Sequence, residues 1–176
     1  MLLLSATQHF VHPCPFDFHF SKYHYEDYQR TPLAYLKAMH GTDPDLAAHL
    51  TILQAAGQVL LGPAITTVFG PVPATAYWDS IKSDIANAET AIVQLPMYTV
   101  LNLCRVRAYQ QDQLIISKQA GGEWGLQQLP TQWHPLIRQA LAAYAGQQDE
   151  QVIRWSRPNL VAFARIMLAE LGLKSE

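Results

Sequence analysis

Prolines that open apolar, helix-period segments are the feature that most restricts the fold of this chain. The segment TPLAYLKAMHG places Thr31 as a cap before Pro32 and stops at a glycine. DPDLAAHLTILQAAG repeats the pattern, with Asp43 as the cap, Pro44 opening the helix and Gly57 ending it. Proline suits the first helical turn, where its missing N–H loses no hydrogen bond, and glycine suits the position just past the last turn. Helix-start prolines and helix-stop glycines at this spacing predict a bundle of short helices.

The same kind of pattern continues to the end of the chain. One helix is predicted over VPATAYWDSIKSDIANAE. Another is predicted over LPMYTVLNLCRVRAY, where it begins after Pro96 and buries one apolar stripe. Three more helices are predicted over residues of roughly 118–128, 133–145 and 149–171, the last bent near its start by Trp155 and Pro158. The adjacent Gly121 and Gly122 fall inside the first of these three, which predicts close helix packing there.

Residues 1–20 have a different character. They contain the apolar run at the start of MLLLSATQHF and then the alternation Phe16, Phe18 and Phe20, which is typical of an extended segment. We therefore predict a mainly α fold, a helical bundle in residues 21–176 that follows a short extended segment in residues 1–20. Because that segment would have an unpaired edge and uncovered aromatic faces, self-association through residues 1–20 is also predicted.

The composition excludes several function classes. Of the 176 residues, 49% are hydrophobic and 15% charged, and the net charge is −2. The chain has no basic stripe, so we expect no nucleic-acid partner, and no long apolar run, so we expect no membrane association. Cys14 and Cys104 are distant in sequence and no secretory signal precedes them. We therefore predict a cytoplasmic protein with two buried thiols.

Two cations stand out in a chain with few charges. Arg105 lies near the predicted end of one helix, and Lys118 follows Ser117 at the start of the next. A helix start offers unpaired N–H groups, lysine adds a point charge and arginine a planar fork, so together they describe a phosphate-binding corner. The alternative is that Arg105 caps its own helix or pairs with Asp112, and that Lys118 is solvated.

Three other patterns have simpler readings. Histidines and Cys14 near the N-terminus suggest zinc, but their spacing lacks the two close pairs of a structural zinc site. Asp43 and Asp45 resemble a magnesium-binding Asp-x-Asp pair, but Pro44 between them favours a helix cap. The aromatic cluster of Tyr23, Tyr25 and Tyr28, with Glu26 and Asp27, would suit a cationic ligand or else a packed domain junction. No nucleophile motif, glycine-rich phosphate loop or Arg-x4–6-His ribonuclease motif is present.

A set of segments in a fixed order resembles a known family. These segments are DLAAHLTIL, LLGPAITTVFGPVP, VLNLCR, ISKQAGGEW, LP and ALAAYAG. In order and spacing they resemble the C-terminal helical domain of the streptomycin/spectinomycin adenylyltransferases, which are aminoglycoside nucleotidyltransferases associated with antibiotic resistance. The resemblance implies that Arg105, Lys118 and Tyr144 hold the ATP, and that Tyr23, Glu26 and Asp27 lie on the aminoglycoside side.

The chain also departs from that family. Family members carry a nucleotidyltransferase domain with a glycine-serine loop and an Asp-x-Asp strand, and this chain has neither. The resemblance implies that residues 1–20 are a remnant strand segment of this nucleotidyltransferase domain, with Leu3 where a glutamate is expected. Leu95 and Tyr23 replace an acidic residue and a tryptophan of the streptomycin enzymes. We therefore expect a truncated domain with no catalytic residue and no metal ligand, which uses ATP and Mg²⁺ only when a partner chain completes it. A non-enzymatic protein-interaction module is the alternative.

Overall fold

A computed structural model describes residues 2–5, 9–147 and 152–173 of the chain. Its helices are α1 (Tyr25–Arg30), α2 (Pro32–Ala38), α3 (Leu46–Ala56), α4 (Ile65–Val68), α5 (Ala74–Ser83), α6 (Ala88–Gln94), α7 (Pro96–Asp112), α8 (Lys118–Gln128), α9 (His134–Tyr144) and α10 (Arg157–Glu170). Its strands are β1 (Leu2–Leu3), β2 (Cys14–Phe16), β3 (Phe18–His19) and β4 (Gly41–Asp43). The predicted mainly α fold with a short extended N-terminal segment is confirmed. Among the described residues no helix has both the length and the apolarity to span a bilayer.

The chain divides by packing into two compact units, Met1–Ile81 and Lys82–Glu176. We call them the first unit and the second unit. The predicted division between an extended segment in residues 1–20 and a helical domain in residues 21–176 stays a prediction.

The first unit contains both small sheets. β1 pairs antiparallel with β3, and β2 pairs antiparallel with β4, so that Cys14 lies opposite Asp43. Cys14, Leu46 and Leu50 form a buried cluster against which Leu4, Phe10, Phe16, Leu53, Phe69 and Val72 pack. Strand β2 and helix α3 are thus held together by one apolar core.

The aromatic residues of the N-terminal segment are covered rather than free. Phe18 and Phe20 each make an edge-to-face contact with Tyr35 of α2, with ring centroids 6.2 and 6.1 Å apart. The Tyr35 hydroxyl also donates to the His19 carbonyl at 2.9 Å. The expectation of uncovered aromatic faces is therefore wrong for these two rings, and self-association through residues 1–20 stays a prediction without that argument.

The second unit is built around α7. This helix packs against α6, α8, α9 and α10, and Val100, Leu101, Leu103 and Val106 on it are almost fully buried. The helices predicted after Pro96, over 118–128 and over 133–145 are confirmed, in each case to within one residue at the start. The apolar stripes of these helices meet in one core, which fixes the geometry around Arg105.

Three predicted boundaries are wrong. The helix after DPD begins at Leu46, because Asp43 belongs to β4 and its Oδ1 accepts the Asp45 N–H at 2.8 Å in a local turn. VPATAYWDSIKSDIANAE forms two helices, α5 and α6, separated by a turn at residues 84–87. The last helix begins at Arg157, with Pro158 in its first turn, and residues 148–151 lie outside the described part of the chain.

Candidate functional site

Arg105 lies in the middle of α7 rather than at its end. The helix continues to Asp112, and the Arg105 side chain is only 13% exposed. Asp112 has another partner, since its Oδ2 accepts the Trp124 indole N–H at 2.7 Å. Neither of the simpler readings of Arg105, capping its own helix or pairing with Asp112, is therefore found.

Two glycines bring the start of α8 against Arg105. A Cβ atom built on Gly121 would lie 3.0 Å from the backbone N and Cα atoms of Arg105, and one built on Gly122 would lie 2.7 Å from side-chain atoms of Leu101 and Leu141. Only glycine permits two helices to approach this closely. The close packing predicted from Gly121 and Gly122 is confirmed, and it places the α8 start, one turn earlier, next to α7.

Lys118 is the first residue of α8 and is half-buried. The helix starts at the predicted place, and Ser117 caps it, with its Oγ accepting the Ala120 N–H at 3.1 Å. The Lys118 Nζ lies over the ring of Tyr98, 4.4 Å from the centroid, so the reading of Lys118 as merely solvated is wrong. Ammonium and helix dipole together make this end of α8 positive.

Asp84 links these groups, and sequence reasoning missed it. Its Oδ2 accepts a hydrogen bond from Asn102 Nδ2 at 2.7 Å and lies 3.8 Å from Arg105 Nη2. The Tyr98 hydroxyl donates to both carboxylate oxygens, at 3.3 and 3.4 Å. We name this group, Asp84, Tyr98, Asn102, Arg105 and Lys118, the cation corner.

The cation corner contains two buried polar atoms that no described residue pairs. They are Arg105 Nε, a donor, and Asn102 Oδ1, an acceptor. Buried polar atoms are rarely left without a hydrogen bond, and such exceptions often mark functional sites. A pattern in the sequence could have revealed the group, since Tyr98, Asn102 and Arg105 are four and three residues apart on one face of a helix. Asp84 has no comparable local signal.

Tyr144, the third predicted nucleotide ligand, is the last residue of α9. It is 46% exposed and lies one helical turn beyond Leu141, which contacts Gly122 of α8. The structure thus brings Arg105 and Lys118 into one cluster and leaves Tyr144 on a helix that packs against both α7 and α8.

The three predicted aminoglycoside-side residues lie in the first unit. Tyr23, in a short 3-10 helix, is 89% exposed, and Glu26 and Asp27 are exposed in α1. His24 Nδ1 lies 3.9 Å from Asp27 Oδ2. These three residues form an exposed aromatic and acidic surface.

The first unit also has a cavity of about 90 Å³ that none of the predicted nucleotide or aminoglycoside ligands lines. Ser5 Oγ donates to Asp17 Oδ2 there at 2.7 Å, and burial, with a smaller contribution from Asp43, raises the pKa of the lining Cys14 thiol. Within the described ranges no three or more histidine, cysteine or acidic residues are placed to hold a metal ion. We assign no chemistry to this cavity.

Residues 67–170 match the family model for the aminoglycoside adenylyltransferase C-terminal domain. The chain belongs to this family. The match includes the whole cation corner and Tyr144, so all of these residues lie within the aminoglycoside adenylyltransferase domain. The resemblance read from VLNLCR and ISKQAGGEW is confirmed.

Individual relatives agree with this assignment. The chain is 30% identical to an aminoglycoside (3'') (9) adenylyltransferase of Klebsiella pneumoniae over 114 residues, which is 64% of this chain and 44% of that protein. It is 27% identical to one of Rhizobium radiobacter over 131 residues, 73% of this chain and 48% of that protein. The chain thus matches less than half the length of these curated relatives.

A solved relative shares the fold. The spectinomycin adenyltransferase of Enterococcus faecialis, whose crystal structure contains ATP and spectinomycin, aligns over 93% of this chain and 63% of that chain with a TM-score of 0.73. Sequence identity is 18%, so this comparison bears on architecture. The helical arrangement of this aminoglycoside adenylyltransferase domain is therefore that of the family.

Proposed function

We propose that this chain supplies the nucleotide-side and aminoglycoside-side surfaces for adenylyl transfer, and that residues 1–176 alone do not catalyse it. In this proposal Arg105 and Lys118 bind the ATP phosphates, Tyr144 supports the nucleotide, and a nucleotidyltransferase domain supplies Mg²⁺ and its carboxylate ligands. The aminoglycoside binds at Tyr23, Glu26 and Asp27.

The observation that carries the proposal is the contact between Arg105 and Gly121. It sets the backbone of Arg105, whose side chain is largely buried, against α8, and Lys118 adds a second cation at the start of that helix. Two cations at the positive end of a helix dipole suit a polyphosphate, because each phosphate oxygen can accept several charge-assisted hydrogen bonds. Asp84 lies beside Arg105 and offsets part of its positive charge.

The metal chemistry of adenylyl transfer does not fit the described residues. Nucleotidyl transfer requires metal ions that bridge the phosphates in line with the attacking hydroxyl, and these ions need carboxylate ligands. No suitable cluster occurs within residues 2–5, 9–147 and 152–173. We therefore assign no step of the reaction to a metal held by this chain.

The proposal that the aminoglycoside binds at Tyr23, Glu26 and Asp27 is supported by the negative charge and the exposure of this surface. Aminoglycosides are polycations. The exposed carboxylates of Glu26 and Asp27 can form ion pairs with them, and the exposed ring of Tyr23 can make a cation–π contact. The side chain of Asp27 is 62% exposed, so its contribution is weakened by solvent and by salt. Affinity for a drug at this surface alone should therefore be low.

Thermal denaturation with ATP tests the nucleotide proposal. A ligand that binds only the folded state raises Tm by mass action, so millimolar ATP should raise the Tm of the wild type. Arg105→Ala should abolish that rise. Arg107→Ala is the matched control, since Arg107 is on the same helix but pairs with Glu170 at 3.2 Å. No rise in the wild type would refute nucleotide binding, and a rise that persists in Arg105→Ala would place ATP elsewhere.

A second candidate function is a non-enzymatic protein-interaction module. One observation favours it: Leu60 and Leu61, in the loop before α4, are each 97% exposed. Exposed apolar side chains of this size often mark a contact surface. If self-association is that function, light scattering should show a concentration-dependent dimer that Leu60→Ser with Leu61→Ser abolishes, while ATP and aminoglycosides leave Tm unchanged.

A further inference from the structure

The carboxylate of Asp84 is the acidic group that the structure places next to Arg105. It is 33% exposed, held by Asn102 and Tyr98, and 3.8 Å from Arg105 Nη2. That distance is long for a guanidinium–carboxylate hydrogen bond, which is usually below about 3 Å. Asp84 therefore compensates the charge of Arg105 without making the close two-point contact that a bound phosphate could make.

The unpaired atoms of the cation corner point to a second arrangement. Arg105 Nε–H and Asn102 Oδ1 are buried, complementary and without a described partner, and they belong to residues three apart on α7. Residues at this spacing are neighbours on a helix surface. A modest rotation of the Arg105 side chain away from Asp84 could bring this donor and acceptor together and leave the Nη groups free for a ligand.

We propose that Asp84 is an internal competitor of the nucleotide phosphates for Arg105. Without nucleotide, Asp84 holds the guanidinium. A triphosphate that reaches both Arg105 and Lys118 displaces the carboxylate, and Arg105 Nε–H then donates to Asn102 Oδ1. The inference rests on the proposed function, because it takes Arg105 as a phosphate ligand. Asp84 is in these terms a positioning residue that sets the affinity of the corner.

Asp84→Asn tests the competition. Asparagine keeps an oxygen that can accept from Asn102 and Tyr98, but it removes the negative charge. We expect ATP to bind the variant about tenfold more tightly in calorimetric titration without Mg²⁺, as an unscreened charge close to the phosphates would predict. Glu170→Gln is the matched control: it takes a carboxylate from the other arginine pair of α7, with the same change in net charge, and should alter affinity less than twofold.

The outcomes separate the two proposals. If the wild type binds ATP and Asp84→Asn binds equally or more weakly, the competition is wrong and the proposed function stands. If neither protein binds ATP, both proposals fail. If Asp84→Asn does not fold, Tyr98→Phe takes its place: it removes the hydroxyl that donates to Asp84 but keeps the ring under Lys118, and it should tighten binding by about two- to threefold.

A spectroscopic measurement tests the rearrangement itself. In 15N-labelled protein the Arg105 Nε–H resonance should shift on ATP addition in the direction expected for a new hydrogen bond. The shift should be lost in Asn102→Leu, while the Arg107 Nε–H resonance stays unchanged in both proteins. An Arg105 resonance that does not respond to saturating ATP would overturn the rearrangement.

Discussion

The backbone of Arg105 lies so close to Gly121 that a Cβ atom added to the glycine would stand 3.0 Å from three Arg105 atoms. Two of those atoms are backbone, which cannot yield without moving α7 or α8. The position of Lys118 relative to Arg105 therefore depends on residue 121 having no side chain. This contact gives the first prediction.

Gly121→Ala should destabilise the protein and weaken ATP binding together. The added methyl group should push α8 away from Arg105 at a cost of about 1–3 kcal/mol, partly offset by the better helix propensity of alanine, about 1 kcal/mol. Gly122→Ala is the comparison, since it has the same propensity gain but its close approaches, at 2.7 Å, are to the side-chain ends of Leu101 and Leu141 rather than to backbone. Urea denaturation and ATP titration of both variants check the prediction. Equal effects in the two would show that backbone contact is not decisive.

Ser117→Ala should cost about 1 kcal/mol, because the Ser117 Oγ accepts the Ala120 N–H at the start of α8. Ser156, at the start of α10, makes no such capping bond, so Ser156→Ala should change the free energy of unfolding much less. Chemical denaturation measures both. Affinity for ATP should fall only in Ser117→Ala, and an equal loss in both variants would contradict a local role for the cap.

Stability should fall at alkaline pH through Cys104. Burial raises the pKa of this thiol to about 12, whereas an unfolded cysteine titrates near pH 8.5. Between these values the unfolded chain binds fewer protons than the folded chain, so the free energy of unfolding decreases as pH rises. The contribution is fully present below about pH 8.5, and the loss reaches about 4 kcal/mol by pH 12.

Comparison with Cys104→Ala isolates this effect from the titration of tyrosine and lysine. The variant is less stable at neutral pH, because it leaves a cavity, but its stability should decline less steeply from pH 9 to 11. Urea midpoints at several pH values supply the two slopes. Parallel slopes would mean that Cys104 does not contribute to the pH dependence, because it stays protonated in both states or because its thiol is as accessible in the folded state as in the unfolded state.

The purified chain should not transfer AMP to streptomycin or spectinomycin by itself. Arg105 and Lys118 can hold phosphates, but carboxylates that could hold the metal ions are not grouped among the described residues. Mass spectrometry after incubation with ATP, Mg²⁺ and each drug measures the product. Adenylylated drug that survives repurification and disappears in Arg105→Ala would show that the chain is catalytic.

Sequence patterns sufficed where the signal was local. The start of α8 at Lys118, the cap at Ser117 and the close packing at Gly121 all follow from neighbouring residues. The pairing of β2 with β4 joins segments about 27 residues apart, and no local pattern carries that information. This pairing is why Asp43 became a strand residue rather than a helix cap.

Asp84 was missed for the same reason. Its significance comes from Tyr98, Asn102 and Arg105, which lie 14 to 21 residues later and reach it only because α7 packs back on the turn before α6. The sequence showed two cations in a chain with few charges, but it could not show the anion beside Arg105. Ion pairs that form only through tertiary contacts cannot be identified from local sequence patterns and require a three-dimensional structure.

The buried cluster of Cys14, Leu46 and Leu50 has a practical consequence for fragment design. An expression fragment that began at residue 21 would lose strand β2 and leave the apolar face of α3 in water, so it should aggregate or expose that helix to proteases. A fragment that began at Lys82 would instead keep all residues of the cation corner on one polypeptide. Limited proteolysis followed by intact-mass measurement would show which of these two cuts the folded chain tolerates.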